Sequence, residues 1–246
     1  MIDLLKLENT KSLNQNDLNF LIRCYSTDFE TYKERLKSIR FENLNDVLDF
    51  GAGFGQWSIA LSQMNKNVHS IEIDFLRQKI FKEIISNENI ENILINKSIA
   101  NISSKKFDAI FSYAVLVQTD FIEMLKSFYK ILKPGGMLYF TAADIGWYLS
   151  NLLENKDVNF DSQKLFEKTI FSSFNYYYFR TFEPGPLNEI IMPQNIIYDL
   201  LKKIGFKKIN IAGEGKLNFL NGKTPKSFFS DEYKGLKSIY EVYCEK

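Results

Sequence analysis

The chain has 246 residues, enough for one sizeable α/β core with residues left over for a cap or insertion. Its 45% hydrophobic and 25% charged content excludes disordered and fibrous classes. The formal net charge is +1, and the lysine pairs at Lys105–Lys106, Lys202–Lys203 and Lys207–Lys208 are dispersed among acids. They read as solvated faces rather than a basic stripe, so no nucleic-acid partner is expected.

Met1-Ile2-Asp3 opens without a charged-then-apolar signal pattern. No window approaches the ~18 uninterrupted apolar residues of a membrane span. A cytoplasmic location and no membrane insertion are expected. Cys24 and Cys244 stand at opposite ends of the chain, without metal-ligand or redox spacing, and read as reduced, non-catalytic thiols. No histidine-carboxylate cluster suggests a metal.

Thr27 and Glu30 have capping-box spacing ahead of a helix through Phe29, Tyr32, Arg35, Leu36 and Ile39, so residues 1–45 are predicted as an N-terminal helical cap. Asp46 to Phe50 reads as a short strand ending in glycines, and Trp57 to Met64 as a helix turning Ile59, Ala60, Leu61 and Met64 inward. Then come a strand over Val68 to Ile73, a helix over Phe75 to Ile85, and strands over Asn92 to Ile95 and Phe107 to Ser112. A helix from Asp120 to Leu132 is stopped by Lys133-Pro134-Gly135-Gly136, and a strand follows over Met137 to Ala142. This alternation over 46–144 is βαβ logic, with a parallel sheet and right-handed crossovers.

Residues 145–191 break the rhythm. They are rich in aromatics (Phe171, Phe174, Tyr176, Tyr177, Tyr178, Phe179, Phe182), end in Glu183-Pro184-Gly185-Pro186, and read as an inserted cap. Pro193 suits the first turn of a helix to Ile204, which Gly205 ends. Strands over Phe206 to Ala212 and Ser238 to Cys244 make 192–246 the C-terminal part of the same sheet, and the whole is expected to be one structural domain.

The decisive stretch is Val47 to Trp57, VLDFGAGFGQW. Asp49 ends the first strand, and Gly51, Gly53 and Gly55 form the turn into the helix, at the carboxyl end of a strand where open α/β sheets bind ligands. A dinucleotide fingerprint needs a third glycine where Gln56 stands, and the Lys-Ser or Lys-Thr of a phosphate-binding loop is absent. An acid two residues before the first glycine suits a cationic ligand better than a pyrophosphate.

These residues resemble the class I S-adenosylmethionine-dependent methyltransferases, whose first motif has the form D-x-G-x-G-x-G. Ser70-Ile71-Glu72-Ile73-Asp74, Phe107 to Ser112 and Leu132-Lys133-Pro134-Gly135-Gly136 extend the likeness in order over residues 47 to 142. The resemblance implies a three-layer Rossmann-like sheet of about seven strands, mostly parallel with an antiparallel last strand. It makes 46–144 the cofactor-binding half and 145–191 an acceptor-side cap. It also implies that the glycine loop faces the methionine moiety of S-adenosyl-L-methionine, that Asp49 helps hold the amino group, and that Glu72 binds both ribose hydroxyls. A surface acid is the alternative reading of Glu72. Asp74 is better placed to cap the next helix. By position, Tyr32, Trp57, Ile73, Ser98, Ile99, Ser112 and Tyr113 supply the remaining cofactor contacts.

The chain departs from the pattern in two places. Asn96-Lys97-Ser98-Ile99-Ala100 lacks the acid that often meets the adenine amino group, leaving Ser98 or backbone to substitute. Val115-Leu116-Val117-Gln118-Thr119 lacks the Glu-His of many small-molecule enzymes, leaving Gln118 as a neutral replacement.

The only histidine, His69, lies inside a strand and reads as structural. Asp144, after the fifth strand, is the candidate base or orienting group, with a loop-capping aspartate as the alternative. Tyr113 reads as a pocket wall. Tyr148, Tyr177, Arg180 and Gln118 are candidate acceptor-binding residues, with Trp147 and Phe182 nearby; packing of a cap is the plainer reading of the aromatics. Tyr25, Tyr32 and Arg35 stand where such proteins close over the cofactor.

The resulting expectation is methyl transfer to a small-molecule acceptor, with O-methylation of a sugar or sugar-nucleotide of surface-polysaccharide synthesis suggested by the resemblance of Tyr32 to Trp57 to such enzymes. A nucleic-acid or protein methyltransferase is one alternative, disfavoured for base methylation because no Asn-Pro-Pro-Tyr or Asp-Pro-Pro-Tyr follows the fourth strand. A non-catalytic cofactor-binding protein is another.

Overall fold

The structure is a computed structural model that describes residues 4, 7–154, 161–185, 187–220, 222 and 224–246. Met1, Ile2, Asp3 and Pro186, which entered the sequence reading, lie outside the described residues. Nine strands and eight α-helices occur among the described residues. Seven strands form one sheet, in the order β3-β2-β1-β4-β5-β9-β6. They are β1 (Asp46–Phe50), β2 (Asn67–Ile71), β3 (Ile93–Asn96), β4 (Phe107–Ser112), β5 (Leu132–Ala143), β6 (Lys207–Gly213) and β9 (Ile239–Glu245), with β7 (Glu232–Tyr233) and β8 (Leu236–Lys237) as a separate pair. β1 runs parallel to β2 and β4, and β2 parallel to β3, whereas β9 is antiparallel to both β5 and β6. The predicted Rossmann-like sheet, mostly parallel with an antiparallel last strand, is the one observed.

The contacts group the residues into two compact units. The first comprises Met1–Phe111, Ile131–Gly136 and Phe219–Pro225, and the second Ser112–Lys130, Met137–Asn218 and Lys226–Lys246. In the first unit β1 is fully buried at Val47 and Leu48, as a strand covered on both faces requires. Its helices are α1 (Gln15–Ser26), α2 (Phe29–Ser38), α3 (Gln56–Ser62) and α4 (Phe75–Asn87). Asp74 caps α4, its carboxylate accepting the Arg77 amide at 2.8 Å. The cap of α2 is Asp28 rather than Thr27: the Asp28 carboxylate accepts the Glu30 amide at 3.2 Å, while the Thr27 hydroxyl is turned back to the Arg23 carbonyl at the end of α1. His69 is buried within β2 with its ring edge-on to Phe107, a core position.

The second unit carries α5 (Phe121–Ile131), α6 (Ile145–Glu154), α7 (Ser162–Phe179) and α8 (Gln194–Ile204). Among the described residues, 145–191 thus contribute two helices, α6 and α7. Pro193 is the N-cap of α8 rather than its first-turn residue, and Gly205 ends the helix in a left-handed conformation with φ 113°. β5 begins at Leu132, ahead of the predicted Met137, so Lys133-Pro134-Gly135-Gly136 is strand rather than a stop between elements. Among the described residues no helix is long and apolar enough to cross a membrane.

Candidate active site

The loop from β1 to α3 is built on backbone that only glycine adopts without strain. Gly51, Gly53 and Gly55 have φ of 80°, 59° and 89°. A Cβ at Gly55 would lie 2.1 Å from the Phe81 ring, so close packing as well as conformation demands glycine there. The loop is held against β2 by the Gly51 and Ala52 amides, which donate to the Ile71 carbonyl at 2.9 and 2.8 Å.

Glu72, one residue beyond β2, completes that attachment. Its Oε2 accepts the Gly53 amide at 2.7 Å and its Oε1 the Asp74 amide at 2.8 Å. The residue is buried, and burial raises its pKa against the opposing pull of the Asp74 amide, the Arg77 charge and the Gly53 and Ile73 amides. Asp49 is only 1% exposed and accepts the Ser58 hydroxyl at 2.5 Å, with Ser70 Oγ 2.7 Å from Ser58 Oγ. Burial pushes the Asp49 carboxyl up to about 7; the Ser58 hydrogen bond lowers it and the Glu72 charge raises it further.

The N-terminal helices pack onto this loop. Phe20 of α1 lies over Gly53, 3.4 Å from where a Cβ would stand, and the Tyr25 hydroxyl donates to the Phe54 carbonyl at 2.6 Å. Arg77 lies over the Phe20 and Phe54 rings and pairs with Asp17 at 2.6 Å. Phe20, Asp17 and Arg77 were not singled out from sequence, because a contact spanning 60 residues leaves no local pattern. Of the sequence candidates, Tyr32 and Trp57 are buried with ring centroids 4.6 Å apart, and Trp57 also packs on Phe111 at 4.9 Å. The Tyr32 hydroxyl donates to the Cys24 carbonyl, and Arg35 is fully buried. Ile73 stands 84% exposed beside Glu72. Ser98 precedes a 3-10 turn over Ile99–Ile102, its hydroxyl donating to Asn101 at 2.8 Å.

This donor set fits S-adenosylmethionine. Glu72 accepts amides on both oxygens and, as a carboxylate with about four acceptor sites, keeps capacity for a ligand hydroxyl. Ile73 offers a bare apolar side chain to a heteroaromatic ring. Asp49 is a buried acid whose ionised form a nearby cation favours. At the first residue of α3, Gln56 Oε1 is buried without a hydrogen-bond partner, an acceptor free for a ligand donor.

In the second unit Ser112 is fully buried, and the Tyr113 hydroxyl donates to Glu214 Oε1 at 2.7 Å. Glu214 also accepts the Phe228 and Phe229 amides at 2.7 and 3.2 Å, and both rings lie against Tyr113. Gln118 and Tyr148 come together on one carboxylate: the Gln118 amide donates to Glu189 Oε1 and the Tyr148 hydroxyl to Glu189 Oε2, each at 2.9 Å. Tyr177 donates to the Ile191 carbonyl at 2.7 Å, while Arg180 is exposed at the left-handed C-cap of α7. Half-buried Asp144 accepts the Ile145 amide at 2.7 Å, and burial raises its pKa against the Ile145 and Gln194 amides. Glu189 and Glu214 escaped the sequence reading; the one trace they leave is an isolated acid in an otherwise apolar or glycine-bounded run. No cluster of three or more metal-binding side chains occurs among the described residues.

The family described as Methyltransferase domain matches residues 47–136. The chain is 26% identical over 113 residues to demethylmenaquinone methyltransferase of Listeria monocytogenes serotype 4a, covering 43% of this chain and 48% of that protein. It thus spans about half the length of the curated relatives it matches. Its fold is similar to a putative sarcosine dimethylglycine methyltransferase from Galdieria sulphuraria, with TM-score 0.60 and 12% identity over 94% of this chain and 98% of that one. It is also similar to magnesium protoporphyrin IX methyltransferase of Synechocystis PCC 6803 with bound SAH, with TM-score 0.55 and 14% identity over 100% and 96% of the two chains. Residues 47–136, which carry the three-glycine loop and buried Glu72, thus match the methyltransferase-domain family, and the fold is similar to that of these methyltransferases.

Proposed function

We propose that the protein transfers a methyl group from S-adenosylmethionine to a hydroxyl of a small polar acceptor, a sugar or sugar-nucleotide of surface-polysaccharide synthesis being the leading class. The observation that carries the cofactor half is the buried Glu72 carboxylate bonded to the Gly53 amide at 2.7 Å. When bound, the cofactor supplies an electrophilic methyl on a sulfonium. The chain's own residues then hold and exclude: Glu72 takes the ribose hydroxyls, Asp49 and the glycine loop orient the methionine end, and Phe20 with α1 keeps water from the loop.

An alcohol acceptor loses a proton as it is methylated. Asp144, with its pKa raised by burial, is the group proposed to receive it. Glu189, with Gln118 and Tyr148 arrayed on it, supports a neutral, hydroxylated acceptor, since a carboxylate and a phenol both bond hydroxyls. The dispersed positive charge supports a small acceptor over a nucleic acid.

The test is to incubate the protein with methyl-labelled cofactor and separate pools of sugars and sugar-nucleotides, other metabolites, polynucleotides and proteins, and to follow the label by mass spectrometry. Label in the sugar pool supports the proposal. Label in a different pool replaces the acceptor class, and cofactor binding without transfer to any pool makes the protein a binder rather than an enzyme.

A further inference from the structure

Helix α7 is amphipathic in an unusual sense, because both of its sides carry apolar or aromatic groups. One side holds Leu165, Thr169, Ser173 and Tyr176, all buried. The opposite side places Glu167, Phe171, Phe174 and Tyr178 at spacings of four, three and four residues, the pattern of a helix-pairing seam. Phe171 is 68% exposed, Phe174 49% and Tyr178 75%, with Phe179 beside them at 66%. The Phe174 and Tyr178 rings stack with centroids 4.6 Å apart, so the two side chains form one continuous aromatic surface.

The geometry points to this seam as a self-association surface on which a second copy of the chain docks through its own α7, antiparallel about a two-fold axis. Two arguments select that occupant. The first is area. Aromatic side chains of roughly 200 Å² each, at these exposures, offer roughly 500 Å² per copy. A pair therefore removes at most about 1,000 Å² from water before any polar rim is added, which approaches the floor for a specific interface.

The second is self-complementarity. With the axis between Phe171 and Phe174, each Phe171 faces the copy's Phe174, and each Glu167 faces the copy's Tyr178, giving each carboxylate a phenol donor. A parallel pairing would instead set the two Glu167 carboxylates side by side. An apolar groove of about 390 Å³ along Phe166, Glu167, Ile170, Phe171 and Phe174 gives the copy's rings a hole to enter. A lipid surface is the poorer partner, because Lys164 and Lys168 are interrupted by Glu167 rather than forming a basic face.

Sedimentation velocity between about 1 and 100 µM tests the pairing. Wild type is expected to be dimeric at the upper end. Phe171→Asp is expected to be monomeric throughout with an unchanged far-UV circular dichroism spectrum, and Tyr178→Phe to dissociate at about tenfold higher concentration. A Phe171→Cys/Phe174→Cys variant should cross-link two chains under mild oxidation, since Cys24 and Cys244 are buried. That variant decides the matter should Phe171→Asp fail to fold. Wild type that stays monomeric, or a dimer that persists in Phe171→Asp, overturns the inference. A monomer that sediments with phosphatidylcholine vesicles through the same residues assigns the seam to lipid instead.

Discussion

Glu72 and Gly53 are joined by a 2.7 Å hydrogen bond, from the middle glycine's amide to a carboxylate beyond the tip of the neighbouring strand. The bond unites the two halves of the surface proposed to bind the cofactor. It fixes the glycine loop, and it orients a carboxylate that keeps acceptor capacity for a ligand hydroxyl. Glu72→Gln, which keeps the shape and loses the charge, should weaken S-adenosylhomocysteine binding at least tenfold. Glu72→Ala should weaken it by roughly 100-fold, following about 1.5–3 kcal/mol per charged hydrogen bond. Calorimetric titration of the three proteins checks the order.

Asp49 gives the pH dependence. Its native carboxyl titrates at about 7, against an ordinary value of 3.8. Between those values the native state holds a proton that the unfolded chain has released, so this group's contribution to stability is present at acid pH and is lost as pH rises through about 7. Asp49→Asn should remove that slope and leave the protein more stable than wild type at pH 8 by about 1–4 kcal/mol. Urea unfolding at several pH values reads this directly. A ligand cation near Asp49 favours its ionised form, so cofactor binding near pH 7 should release protons, measured by calorimetry in buffers of different ionisation enthalpy.

The glycines separate conformation from packing. Gly55→Ala places a methyl into the Phe81 ring at φ 89° and should cost about 2–3 kcal/mol, a fall of roughly 5–10 °C in Tm. Gly135→Ala meets open space at φ 76° and should cost only about 1 kcal/mol. Thermal melts of the two variants check the difference; equal effects would contradict the packing role of Phe81.

Asp144→Asn should lower kcat by 10²-fold or more while leaving S-adenosylhomocysteine affinity unchanged. Wild-type turnover should rise with pH through the upshifted carboxyl and then level off. Unchanged turnover in the variant would leave Asp144 as the cap of the loop before α6, which its 2.7 Å bond from the Ile145 amide already makes it. Glu189→Gln should raise KM for the acceptor more than it lowers kcat, because it alters the carboxylate proposed to bind the acceptor.

Much of the fold was legible because its signals are local. Val47 to Trp57 carries a buried strand, a glycine turn and a helix within eleven consecutive positions, and the Rossmann-like sheet follows from alternating apolar runs. The misread features are those where two local rules compete. Thr27 and Asp28 are adjacent acceptors, and the carboxylate took the cap while the hydroxyl turned back to Arg23. Pro134, Gly135 and Gly136 punctuate a chain by propensity, yet Lys133 is drawn to Asp108 at 2.8 Å and β5 starts early. In α7 the aromatic run hid a helix, because apolar residues on both sides blur the single stripe that marks one. Within the candidate site, Glu72 could be read from its place at a strand tip. Phe20, Glu189 and Glu214 could not, because their partners lie many tens of residues away in the chain.

The central claim, that the Glu72-anchored loop is a cofactor site, is tested most directly by titrating S-adenosylhomocysteine into the folded wild-type protein in a calorimeter. Saturable one-to-one binding at submillimolar concentration, weakened in Glu72→Gln and nearly lost in Glu72→Ala, is the predicted result. Absence of binding by a protein that keeps its circular dichroism and melting transition would contradict it.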